Sequence, residues 1–200
     1  MDFLHQPENT GIDVDLYIST WSRTRTTNPP INCGVGVEIP PNYIDVTEDD
    51  IRNVITRDAV IKVHPYLEIN HTFQLMHYGW YLGFKLIEDS GNIYDYVYVM
   101  RPDLFYIQPS FFMNPFDTNY DNSLGVIGIM SDTNLADGEF FSTYDNIKLL
   151  LSSDIFELDS TIGNTHQIWY EYVINKGLHL TALPFEIKDP DRKSTRLNSS

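Results

Sequence analysis

Apolar residues recur along this chain with two different periods, and the switches between them delimit its elements. Ile69, Phe73, Met76, Trp80, Phe84 and Ile87 follow one another at steps of four and three. That is the period of a helix with one buried stripe, and Gly91 ends it. The period then collapses, because Val97, Tyr98, Val99 and Met100 are apolar on consecutive positions. Such a run suits a strand covered on both faces. The stretch 94–106, YDYVYVMRPDLFY, therefore predicts a central strand entered through the punctuation of Gly91-Asn92.

The rest of the pattern alternates strand with helix. Residues 12–19 set Val14, Leu16 and Ile18 against Asp13, Asp15 and Tyr17, a first strand. Residues 59–63, 124–130 and 178–183 read as further strands. Thr47 is a good N-cap for a short helix ending near residue 56, with Glu48, Asp49 and Asp50 in the first turn, where the helix dipole favours them. Ser142 or Thr143 caps a helix that turns Tyr144, Ile147, Leu150 and Leu151 inward. Thr165 caps a last helix whose stripe is Ile168, Trp169, Tyr172 and Val173, ended by Gly177. Residues 22–41 are rich in Thr, Asn, Pro and Gly without a helical period, and predict a long surface loop.

Charge enters where the central strand stops. Ligands of open α/β sheets collect at the carboxyl ends of strands, which puts Arg101 and Asp103 where a site forms. Pro102 fixes its own φ and pushes Arg101 towards extended geometry, so that Arg101 and Asp103 project from one side of the chain. A cation and a carboxylate are then aimed together at the rim of the sheet; a mutual salt bridge in a strand-end turn is the structural alternative. Asp132, Asp137 and Glu139 follow the 124–130 strand in a loop, and the two glycines of LGVIGIM allow close backbone approach. Arg23 and Arg25 are either phosphate contacts or solvated loop charges. His71 and His77, six apart, do not share a helix face and make a poor zinc pair, and His77 lies off the apolar stripe or on its edge.

Composition narrows the function classes. A chain of 200 residues, 42% hydrophobic and 14% aromatic, can bury a full core, and we expect one domain over 1–188. A net charge of −15 argues against a nucleic-acid-binding surface and favours a site where a divalent cation screens a nucleotide diphosphate. No stretch approaches the roughly 20 apolar residues of a membrane helix, the polar start lacks a signal peptide, and the single cysteine, Cys33, allows no internal disulfide. These features predict a soluble, cytoplasmic protein with no integral membrane segment. Residues 189–200 change character. Their ending KSTRLNSS resembles an adapter-derived tail, so we expect a non-native, disordered segment there and a missing true C-terminus.

The order of parts resembles a known family. DVDLYISTW, a helix running into YDYVYVMRPDL, ADGEFFSTYDNIKLL, and HQIWYEYVINKGLHL before a last strand are together similar to GT-A-like glycosyltransferases. These are the bacterial and large-virus proteins whose central strand ends in R-x-D in place of D-x-D. The resemblance covers most of residues 12–187, and its most specific element is YDYVYVMRPDL. It implies a GT-A-like (Rossmann-like) α/β fold with a mixed, mostly parallel sheet flanked by helices, N-terminally truncated here by the loss of a first strand and its loop. It also implies transfer of a hexosyl or deoxyhexosyl group from a nucleotide-diphosphate sugar to a glycan or other acceptor, with Mn²⁺ or Mg²⁺ bridging the diphosphate.

Carried over by position, Asp103 is the metal or diphosphate-side ligand, and Arg101 stands where the first aspartate of D-x-D would be, touching phosphate or orienting Asp103. Asp137 or Glu139 falls where such proteins carry an acidic residue, the base that deprotonates the acceptor hydroxyl in an inverting mechanism. His166 occupies a helix-start position where relatives tend to have glutamate, as a late metal ligand or as a cap. Tyr94, Tyr96, Tyr98, Phe105 and Tyr106 read as core and sheet-covering aromatics. The rival readings are a non-catalytic carbohydrate- or partner-binding domain on the same fold, and a nucleotidyltransferase.

Overall fold

A computed structural model describes residues 13–25, 43–55, 57–67, 72–100, 120–126, 129–131, 134–135, 139–158 and 165–182. The chain divides into two compact units, one of residues 14–93 with 151–162, the other of 1–13, 94–150 and 163–200. Within them the described residues form a mixed α/β fold in which parallel and mixed sheets are flanked by helices.

In the first unit β1 (Leu16–Trp21) pairs in parallel with β4 (Ala59–His64), in register from Leu16↔Ala59 to Trp21↔His64. Between them the chain forms β2 (Arg23–Arg25), β3 (Tyr43–Asp45) and α1 (Glu48–Arg52). The expected 22–41 loop thus opens on a strand, since β2 pairs antiparallel with β3. Ser22 is the junction. Its N–H donates to the His64 carbonyl at 2.7 Å, its carbonyl accepts from Val46 at 2.9 Å, and its hydroxyl accepts from the Tyr66 N–H at 3.0 Å. Thr47 caps α1 as expected, in a reciprocal capping box with Asp50.

The predicted long helix is α2 (Thr72–Ser90), followed by Gly91 at φ 72°, a left-handed conformation that costs a glycine little. Gly79 and Gly83, one turn apart, turn towards β1. A Cβ on Gly83 would stand 3.4 Å from Ser19 Cβ, and one on Gly79 3.9 Å from Trp21 Nε1, so small residues let this helix settle close to the strand. The unit also contains a 3-10 helix, Ser153–Glu157, against α2. His77, expected on the edge of the stripe, is 1% exposed, its ring centroid 5.2 Å from that of Trp80. A stripe counted from aliphatic and aromatic residues missed it, because imidazole in its neutral form packs as an apolar ring.

The second unit holds β5 (Tyr96–Val99), β6 (Ser123–Val126), β7 (Ile129–Ser131), β8 (Asn134–Leu135), β9 (Phe140–Thr143), α3 (Tyr144–Leu150), α4 (Thr165–Asn175) and β10 (His179–Ala182). Its main sheet has the order β10-β6-β9-β5. β10 and β6 are parallel, and β9 runs antiparallel to both β6 and β5. Three strands therefore share one direction and β9 opposes them. Among the described residues β5 ends this order rather than lying inside it. Its consecutive apolar residues report covered faces, and face coverage does not depend on having a neighbour at each edge. The single strand expected over 124–130 is divided, with β6 kept in this sheet and β7 paired antiparallel with β8.

Buried Leu124, Val126, Phe140, Ile147, Leu150, Trp169, Val173 and Leu178 form the core of this unit, with the Phe140 and Trp169 rings 5.9 Å apart. Thr143, rather than Ser142, caps α3, accepting from the Asn146 N–H at 3.4 Å. α4 ends in a Schellman arrangement: Gly177 at φ 78° donates to the Ile174 carbonyl at 2.9 Å and Leu178 to that of Val173 at 3.3 Å. A knot of polar groups ties helix to sheet. The two N–H groups of the buried Asn146 amide are shared among the carbonyls of Tyr120 (2.7 Å) and Ser123 (3.2 Å) and the Ser142 hydroxyl (2.9 Å), which itself donates to the Ser123 carbonyl. None of the described helices is long and apolar enough to cross a membrane.

Two stability outcomes follow from these packings. Asn146→Ala removes a buried donor from the carbonyls of Tyr120 and Ser123, which keep the Ser123 N–H and the Ser142 hydroxyl, and lowers stability by about 1 to 3 kcal/mol in urea unfolding. Asn146→Asp, which keeps the shape but aims oxygen at oxygen, does not rescue it. Burial holds the His77 pKa at about 3, below the ordinary 6.5. A depressed histidine is stabilising above 6.5 and loses that contribution as pH falls towards 3. Wild type should therefore weaken relative to His77→Leu as pH drops below 6.5, by up to about 1.4 kcal/mol per pH unit, read as a pH series of unfolding midpoints.

Candidate functional site

The registers of the main sheet bring several chain ends to one rim. Val99 pairs with Phe140, Val126 pairs with Phe140 on its other side, and Ala182 pairs with Val126. The carboxyl ends of β5, β6 and β10 and the start of β9 thus meet at the same edge. The chain reaches Arg101 and Asp103 two and four residues past Val99, and it passes Asp137 and Glu139 three and one residues before Phe140. Of these four residues Glu139 is the one that the structure describes at this rim. Arg101, Asp103 and Asp137 themselves lie outside the described residues.

Glu139 is described, and it is 2% exposed. Its carboxylate accepts a hydrogen bond from the Tyr98 hydroxyl, reaching across from β5 to the entrance of β9. Pairing of Tyr98 with Phe141, two residues on, places Tyr98, Phe141 and Glu139 on one face of the sheet. The same face carries Tyr96, stacked on Phe141 with ring centroids 5.3 Å apart, and the buried Tyr120, edge-on to Phe141 at 5.0 Å. The carboxyl therefore sits in an aromatic setting. Burial raises its pKa above the ordinary carboxylate value and the Tyr98 hydrogen bond partly opposes that. Burial, the Glu139 charge and the shared hydrogen bond push the Tyr98 phenol upward, so Tyr98 stays the donor. A carboxyl with raised proton affinity, at the carboxyl-end rim of a sheet, is a stronger base than an ordinary carboxylate.

The other expected residues fall out differently. His166 is the second residue of α4 and half-buried. Thr165, expected as the cap, is the first helical residue. Among the described residues no group of three or more His, Cys, Asp or Glu could hold a metal ion. The described residues do not by themselves compose a metal centre. The remaining candidate ligand, Asp103, lies outside them. Arg23 is engaged elsewhere, paired with Asp45 at 3.0 Å and lying 5.9 Å over the Tyr43 ring. Such an exposed pair contributes little stability, but it occupies the guanidinium. Sequence reasoning missed Tyr98 as the partner of Glu139. Both are visible in the sequence, yet only the strand register, 41 residues apart, joins them.

Compared with known proteins, the chain matches no family model, no curated protein and no solved structure.

The titration of Glu139 gives a test independent of activity. With its folded pKa raised, stability is fully present below the unfolded value near 4.5 and is lost as pH rises through the folded value. Glu139→Gln, neutral at every pH and able to accept from Tyr98, should gain stability over wild type as pH rises from 4.5 to neutrality. Equal pH profiles for the two proteins would mean that the carboxyl is solvated rather than buried.

Proposed function

We propose that this chain carries a GT-A-like glycosyltransferase domain that transfers a sugar from a nucleotide-diphosphate donor to a glycan or other acceptor with help from a divalent cation, Mn²⁺ or Mg²⁺. The observation that carries the reading is the rim itself: the antiparallel register of β5 and β9 sets Val99, the last residue of β5, opposite Phe140, which directly follows the buried Glu139. In this reading Asp103 contacts the metal or the diphosphate, and Arg101 touches phosphate or orients Asp103. Glu139, or Asp137 two residues before it, accepts the acceptor's hydroxyl proton. The hydroxyl oxygen bonds to the anomeric carbon as the bond from that carbon to the diphosphate breaks, and the nucleoside diphosphate leaves with the electron pair. Raised proton affinity supports Glu139 as the base.

A non-catalytic carbohydrate- or partner-binding domain draws on one opposing observation, that Glu139 is 2% exposed and already held by Tyr98. Calorimetry with UDP and GDP, with and without Mn²⁺, separates the readings. We expect manganese-dependent binding that is lost in Asp103→Ala and kept in Glu139→Gln. We also expect Glu139→Gln, if Glu139 is the base, to slow sugar transfer or donor hydrolysis by about a hundredfold to ten-thousandfold. Metal-independent binding unchanged by Asp103→Ala would remove Asp103 from the site. Normal turnover in Glu139→Gln would pass the base role to Asp137.

A further inference from the structure

The unit built on β1 and β4 carries a second surface, made of rings. Trp21 closes β1 at its carboxyl end, opposite His64 at the end of β4. The Trp21 ring lies 5.7 Å from Tyr78 at 17° between planes, and Tyr78 lies 6.3 Å from Tyr81 at 12°. Near-parallel rings in contact are about 3.5 to 4 Å apart, so these centroid separations describe steps rather than superposed plates. Each ring covers only part of the next. Phe156 sets its ring edge-on to both tyrosines, 4.8 Å from Tyr78 and 4.9 Å from Tyr81, and is 42% exposed.

A satellite core of aromatics would account for the packing, but it would bury the polar tips of Trp and Tyr against partners. Among the described residues the Trp21 indole N–H and the hydroxyls of Tyr78 and Tyr81 make no hydrogen bond and are not among the buried polar atoms, so they are open to solvent; the Nε2 of His64, whose ring is 6.1 Å from that of Trp21, is buried without a partner. Ring faces with unspent donors and acceptors at their edges match a ligand that has a C–H face and a rim of hydroxyls. The C–H groups of a pyranose carry partial positive charge towards the negative face of an aromatic ring. Its hydroxyls donate as well as accept, so they answer both an indole N–H and an imidazole nitrogen in either tautomer. Charge decides against an anionic ligand. The chain carries −15, and Lys85 on the same helix is tied to Glu88 at 2.8 Å.

We propose that Trp21, Tyr78 and Tyr81, with Phe156 and His64 beside them, form a platform that binds the face of a neutral pyranose. As a saccharide-binding surface of its own unit it stands without the sugar-transfer reading.

The full chain, in EDTA and without nucleotide, is titrated to millimolar concentration with the methyl glycosides of glucose, galactose, mannose and N-acetylglucosamine. Saturation-transfer NMR and the Trp21 indole resonance report binding. At least one glycoside should receive saturation on the C–H protons of one ring face and shift that resonance, and Tyr78→Leu should weaken it about tenfold or more. Tyr81→Leu, at the end of the ladder, serves as the second variant should Tyr78→Leu not fold. Three results would overturn the proposal: no glycoside binding, binding unaffected by either variant, or a response to uridine and UMP where the glycosides give none. Because neither metal nor nucleotide is present, failure here leaves the donor reading standing. Loss of manganese-dependent UDP or GDP binding, conversely, does not touch the platform.

Discussion

The main sheet depends on one insertion: β9, antiparallel, between β6 and β5. All four of its residues pair with β5, and two of them, Phe140 and Phe141, pair with β6 as well. A slip of one residue would exchange its faces, sending Glu139 and Phe141 towards Trp169 and bringing Phe140 and Ser142 into the tyrosine cluster. Apolar pattern alone would not prevent that, because Phe140 and Phe141 are both large and both buried. The polar groups do. Ser142 can meet the Ser123 carbonyl and the Asn146 amide only from the helix-covered face, and a hydroxyl turned into the aromatic face would lose both. Here hydrogen bonds select the register that the hydrophobic effect leaves nearly degenerate.

The same knot joins strand to helix without slack. Thr143 is at once the last residue of β9 and the cap of α3, and the Tyr144 N–H donates to the Asp95 carbonyl just before β5. A strand, a cap and a helix start are thereby fixed by consecutive residues.

How much of this was legible in the sequence depends on the range of the forces involved. α2 and α4 could be read closely, since a period of 3.6 over many residues and a terminal glycine are local signals, and Gly91 and Gly177 both adopt positive φ. Thr47 was legible for the same reason. The extent of β5 was local too, but its place in the sheet was not, because consecutive apolar residues speak of faces and not of edges. LGVIGIM looked like one strand because hydrophobicity does not register where a chain changes partners. At the candidate site the sequence identified Glu139 only as one of two acids. Its burial and its tie to Tyr98 come from a pairing across 41 residues, which no spacing rule contains.

Two opposing effects act on the proton of Glu139, and burial is the larger. Burial among Tyr96, Tyr98, Tyr120 and Phe141 favours the neutral acid. The Tyr98 hydroxyl favours the anion, and it does so through one oxygen, leaving the other without a hydrogen bond among the described residues. A carboxyl wholly committed to protein donors would be a weaker base, and one with none would hold its proton more tightly. A single donor on one oxygen eases ionisation of the buried carboxyl while leaving an acceptor position open, and β5 supplies it.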